Sequence, residues 1–143
     1  MLYNDENRGI IQNRERARQI IDFSGLRYGN ITPTDIDGLI EYHNKAYIFY
    51  EYKYQNAELP KGQKIALERI ANDLSKTKET IILICEHTEN NCNNDIIAAK
   101  AIIRAIYYKG KWGKPIESMN VTVDNFTNRF LKFIDNKEIK KIT

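Results

Sequence analysis

The sequence predicts an α/β fold, and three observations predict it. Residues 36–54 hold two strand-like runs separated by a short polar break, and the second run is almost wholly aromatic or β-branched. Residues 80–85, TIILIC, form a short continuous apolar run of the kind found in strands buried on both faces. Around these, apolar residues recur at helical spacing over residues 10–23, 60–74 and 123–135.

A chain of 143 residues is one domain's worth, so a single domain over residues 1–143 with a real core is expected. Hydrophobic residues make up 42% and charged residues 29%, the balance of a water-soluble protein rather than a membrane or disordered one. No apolar run reaches the length of a membrane span, and the polar, early-acidic start MLYNDENRG does not read as a signal peptide, so a cytoplasmic protein is expected. Cys85 and Cys92 lack metal-ligand spacing and read as free thiols. The net charge of +3 permits a nucleic-acid partner without demanding one.

The first helix is expected over residues 10–23, with Ile10, Ala17, Ile20 and Ile21 on one side and Gly25 as the stop. Arg14, Arg16 and Arg18 make it basic, and Glu15, four residues from Ile11, falls at the edge of the apolar face. Residues 26–33 form a connector with room for a short strand at Leu26-Arg27-Tyr28. There Gly29-Asn30 marks a turn, Pro33 bars a central strand, and Arg27 can reach a nucleic-acid backbone.

In the hairpin of residues 36–54, a three-residue loop His43-Asn44-Lys45 with Asn44 left-handed pairs Tyr42 with Ala46, and paired positions then sum to 88. That register sets Asp37 across from Glu51, where directly opposed Cα atoms lie roughly 4.5–5.5 Å apart. A two-residue loop would send Asp37 to Tyr50 and to the wrong face. Strand alternation also puts Tyr47, Phe49, Glu51 and Lys53 on one face. Two carboxylates so close repel unless a cation lies between them or one is protonated. With a lysine beside them they point to metal-assisted hydrolysis of a phosphodiester. Oxygen ligands suit Mg²⁺ or Mn²⁺, which lowers the pKa of a bound water, and Lys53 can orient that water or stabilise the phosphate.

Asp37 followed by Glu51-Tyr52-Lys53, a separation of 51 − 37 = 14, resembles the core of the PD-(D/E)XK nuclease superfamily. Asp37-Gly38-Leu39 is similar to the Asp-Gly-Leu segment of its phage-type exonucleases, so a small phage-type or resolvase-like nuclease is the nearest likeness. The resemblance covers about half the chain. It implies a central mixed β-sheet flanked by helices with a restriction-endonuclease-like core. It also implies Asp37 and Glu51 as metal ligands and Lys53 as the catalytic lysine. Many members carry a Glu on the first helix that touches the metal, which makes Glu15 a candidate third ligand. One departure stands out: no Pro precedes Asp37, and Pro33-Thr34-Asp35 makes Asp35 a rival first ligand.

Pro60 opens the second helix, residues 60–74, whose apolar stripe is Leu67, Ile70, Ala71 and Leu74. Gln63 lies on that face at the helix mouth and resembles the Gln that follows E-x-K in several of these nucleases, which places it in the catalytic group. Lys61 and Lys64 flank it and can track phosphates. After the strand at 80–85, Glu86-His87 marks a strand end where sites in α/β sheets form. Residues 88–95 are an Asn-rich loop, residues 96–108 a strand, and Lys109-Gly110-Lys111 a turn. Trp112 with Lys109, Lys111 and Lys114 makes a basic, aromatic surface turn that can stack a base. Thr122 caps the last helix, residues 123–135, and a frayed basic tail follows.

The expected protein is therefore a divalent-metal-dependent nuclease with nucleic acid, DNA ahead of RNA, as partner. No membrane is expected, and a homodimer is an open option. The alternative is a catalytically inactive nucleic-acid-binding or protein-binding domain on the same fold.

Overall fold

A computed structural model describes residues 8–115 and 120–142, with side chains through residue 137. The polar start read above at residues 1–7 lies outside the described residues, as do residues 116–119. The chain divides into two compact units, Met1–Pro33 and Thr34–Thr143.

The first unit corrects the expected helix over residues 10–23. Only Arg14–Ala17 is helical (α1), capped by Asn13, whose side chain accepts from the Arg16 N–H. A 3₁₀ turn at Ser24–Leu26 follows. Ile20 and Ile21 are each 78% exposed. A helix takes most of its stability from burying an apolar face, and these residues provide no buried face to extend it. In place of the short strand, a single antiparallel bridge joins Tyr28 and Ile31 across Gly29, whose φ of +64° suits a glycine.

The second unit is α/β: a five-stranded mixed sheet with one long helix packed on each face. Its strands are β1 Gly38–Tyr42, β2 Ala46–Tyr54, β3 Glu79–His87, β4 Ile102–Tyr108 and β5 Lys111–Gly113, lying in chain order across the sheet. Pairing is antiparallel except between β2 and β3, which run parallel. A parallel pair needs a crossover, and α2, Lys61–Leu74, supplies it. The last helix, α3 (Val123–Ile142), is longer than expected, because the tail stays helical to Ile142 instead of fraying after residue 135.

Strand alternation divides the core into two layers. On one face Ile48, Tyr50, Ile81, Leu83, Cys85 and Ile103 pack with Phe130 and Ile134 of α3. On the other, Phe49, Ile82, Ile84 and Tyr107 pack with Leu67 and Ala71 of α2. β3 is the centre of both layers, with residues 80–85 all buried, as its continuous apolar run requires.

Two further elements differ from expectation. The strand over residues 96–108 begins only at Ile102, after a 3₁₀ turn at Ala98–Lys100. The basic turn carrying Trp112 is in fact strand β5, formed because Lys109 and Gly110 both take left-handed φ (52° and 81°) and return the chain onto β4.

Leu67 is 1% exposed and seats α2 on the sheet, whereas Leu39 on edge strand β1 is 51% exposed. Leu67→Ala should cost about 2–5 kcal/mol in urea unfolding, and Leu39→Ala about 1 kcal/mol or less.

Candidate active site

The hairpin turn sets the site. His43 and Asn44 both have positive φ (49° and 59°), and the Lys45 N–H donates to the Tyr42 carbonyl at 2.8 Å. The register that follows pairs Tyr42 with Ala46 and Gly38 with Tyr50. Each pair sums to 88, as the sequence predicts. Asp37, one step before Gly38, is thereby brought to Glu51. The Asp37 N–H donates to Glu51 Oε1 at 3.3 Å, and Asp37 Oδ2 accepts from the Tyr52 N–H at 2.8 Å. Side chains thus carry the hairpin one pair beyond its last backbone rung.

Glu51 is 1% exposed, although it is a carboxylate. α2 supplies its second partner: Gln63, itself buried, donates from Nε2 to Glu51 Oε2 at 2.8 Å and to the Asp35 carbonyl at 3.3 Å. Asp35 therefore enters through its backbone, while its side chain is exposed. Lys53 is half-buried two residues along the same strand face. Burial, and then the charge of Asp37, push the Glu51 carboxyl up from its ordinary 4.5 to about 7, and Lys53 pulls the other way.

The second unit brings Asp37, Glu51, Lys53 and Gln63 together at the C-terminal end of β2, the end where sites form in parallel arrangements. Lys61 and Lys64 stand exposed on the first turn of α2, and Lys64 Nζ lies over the Trp112 ring, 5.5 Å from its centroid. Glu15 and Arg27 belong to the first unit. Glu15 is exposed on α1, and Arg27 Nε donates to the Gly29 carbonyl at 3.0 Å.

Three features were not read from the sequence. The parallel register pairs Lys53 with Glu86, placing a further carboxylate-bearing residue beside the lysine on the same face. A bulge in β4, opposite Ile84 and Cys85, lets Arg104 leave the ladder. The Arg104 guanidinium then donates to the Gln55 and Ala57 carbonyls at 2.6 Å each, pinning the loop after β2. Trp112 also donates from its indole N–H to Glu68 of α2 at 2.9 Å. The first depends on how β2 and β3 pair, the second on how β3 and β4 pair, and the third joins β5 to α2, none of which a local pattern specifies.

Among the described residues, no three His, Cys, Asp or Glu side chains gather to hold a metal ion. None of the helices described is long and apolar enough to cross a membrane. No protein-family model matches the chain, and neither a curated protein nor a solved structure does.

The raised Glu51 pKa has a definite sign. Between 4.5 and about 7 the folded protein holds a proton that the unfolded chain has released, so stability falls as pH rises through that window and levels off above it. In EDTA, Glu51→Gln should gain on the wild type by on the order of 2 kcal/mol between pH 5 and pH 8. Thermal melts across that range check this, and a constant difference would assign Glu51 an ordinary pKa.

Proposed function

We propose that this protein is a divalent-metal-dependent nuclease that hydrolyses phosphodiester bonds, with DNA the preferred substrate over RNA. The observation that carries the reading is Glu51. A carboxylate 1% exposed, raised to about 7 and set against a second carboxylate at Asp37, is a charge arrangement that a cation would relieve. The mixed sheet with helices on its faces is the frame that the PD-(D/E)XK resemblance implies, and the restriction-endonuclease-like core is part of the proposal.

The donor set fits Mg²⁺ or Mn²⁺. Asp37 and Glu51 offer only oxygen, and these ions are commonly held by one or two carboxylates, with waters and substrate phosphates completing the shell. When bound, the ion would supply charge neutralisation at the phosphate and a more acidic water. The chain's own residues do the rest. Gln63 fixes the Glu51 carboxylate by donating to one of its oxygens and anchors the Asp35 segment with the same amide. Lys53, on the Glu51 face, presents an ammonium that can hold a phosphate oxygen or orient the attacking water.

One observation favours the second reading, an inactive nucleic-acid-binding or protein-binding domain on this fold. Both carboxylates already accept hydrogen bonds within the protein, Asp37 from the Tyr52 N–H and Glu51 from Gln63.

The two readings separate on three variants. Asp37→Asn should abolish Mg²⁺- or Mn²⁺-dependent cleavage without unfolding the protein, since it relieves repulsion in the metal-free state. Lys53→Ala should still bind metal by calorimetry yet lose roughly 100-fold or more in cleavage rate. Gln63→Ala should weaken cleavage and also lower the melting temperature, because it strips a buried carboxylate of its donor. If the wild type cleaves no nucleic acid with either ion and binds neither, the binding-domain reading replaces the nuclease.

A further inference from the structure

On the same face of the sheet as Glu51, a cavity of about 500 Å³ opens between the loop after β2, the first turn of α2 and strands β3 to β5. Its floor is Ile84 and Ala105, and its walls are Leu59 and the Trp112 ring. Lys64 and Asn56 stand among its polar groups, with Glu58. The register places it: Glu51 pairs with Ile84, and Ile84 with Ala105, so the floor begins one strand from Glu51 and ends two strands away. At a strand spacing of about 4.8 Å, the floor lies roughly 5–10 Å from the Glu51 position, on the side of β2 away from Asp37.

The cavity is held in shape. Arg104, released by the bulge, fixes the loop wall through its bonds to the Gln55 and Ala57 carbonyls. Trp112 is fixed by its bond to Glu68 and by packing against Tyr107, ring centroids 5.0 Å apart. Lys64 Nζ lies over the indole, 5.5 Å from its centroid, so the cation sits against the face of the ring.

We propose that this cavity receives an unpaired nucleobase of the substrate strand next to the scissile phosphate, which makes the protein a nuclease of single-stranded or frayed DNA. The assignment rests on reading the Asp37–Glu51–Lys53 group as a phosphodiester site, since that reading supplies the ligand class. The cavity chemistry supplies the rest. A base presents an apolar face to Ile84, Ala105 and the Trp112 ring, polar edges to Asn56 and Glu58, and a phosphate to Lys64. Within a duplex, each base is covered above and below by its neighbours, so its face cannot lie against Ile84, Ala105 and Trp112.

Trp112 is the single tryptophan of the chain, so its fluorescence reports on the cavity directly. The wild-type protein is titrated in EDTA with a short single-stranded DNA, the same strand made abasic, and a hairpin duplex. Saturable quenching is expected with the single strand, and affinity roughly 10-fold or more weaker for the abasic strand and the duplex. Ala105→Met fills the floor while leaving Trp112 in place, and it should weaken single-strand binding to the same degree. Trp112→Leu, read by anisotropy of a labelled strand, should do likewise. Equal affinity for the abasic strand or the duplex, or wild-type affinity in a folded Ala105→Met protein, overturns the proposal. Because no metal is present, the two readings fail separately. Base-dependent quenching without cleavage in Mg²⁺ keeps the cavity and removes the nuclease; cleavage without base-dependent quenching does the reverse.

Discussion

The two left-handed residues His43 and Asn44 fix where β1 meets β2, and the meeting of Asp37 with Glu51 follows from that register. Side chains alternate along a strand, so a slip of one residue would turn Asp37 away from Glu51 and face Tyr50 outward from the α3 layer. The register is held at both ends. At the turn, Lys45 N–H bonds to Tyr42 and Glu41 accepts from the Asn44 N–H. At the open end, the bonds between Asp37 and the Glu51-Tyr52 segment continue the ladder through side chains. The hydrophobic layers enforce the same answer, because Phe49 must meet Leu67 and Tyr50 must meet the α3 side.

Within that register, Glu51 is the local conflict. An aromatic strand buried under α2 is a costly place for a carboxylate, and two partners only partly compensate it: the Gln63 amide and the Asp37 N–H. Burial, and then the charge of Asp37, hold its carboxyl at about 7. Buried charges left in this state are more common at sites than in scaffolds, since a scaffold gains stability from an apolar residue of similar size. Lys53 lies on the same face yet is only half-buried, so its charge reaches Glu51 without neutralising it.

How far the sequence disclosed this depends on the range of each interaction. The β1–β2 register was legible because turn chemistry and strand alternation are local, and both point to a sum of 88. β3 was legible because a strand buried on two faces writes an uninterrupted apolar run. Gln63 was legible as facing the sheet because helical spacing from Leu67 fixes its side. The Lys53–Glu86 pairing and the Arg104 bulge were not, since they arise from pairing between segments far apart in the chain. The helix over residues 10–23 was misread for the opposite reason: periodicity was present, but Ile20 and Ile21 are not buried, and spacing alone does not make a helix. β5 was hidden by its three-residue length and by the lysines around Trp112.

The segment between β2 and α2 ties these observations together. It leaves the sheet at Tyr54, turns at Gln55 with a φ of 46°, and is gripped by Arg104 at Gln55 and Ala57 before Pro60 opens the helix. Three residues into that helix stands Gln63, on the Glu51 carboxylate. A single bulge in β4 therefore bears on the position of α2, and through α2 on the orientation of the buried carboxylate. Trp112 braces the same helix from the other side by donating to Glu68. The cavity wall and the Glu51 contact are two ends of one restrained crossover, so a group that settles against Trp112 and the loop acts on the element that also positions Glu51. Under the proposed nuclease reading, the cavity and the carboxylates need such a common mount, because orientation errors of about 1 Å at the reacting atoms are enough to cost a large part of the rate.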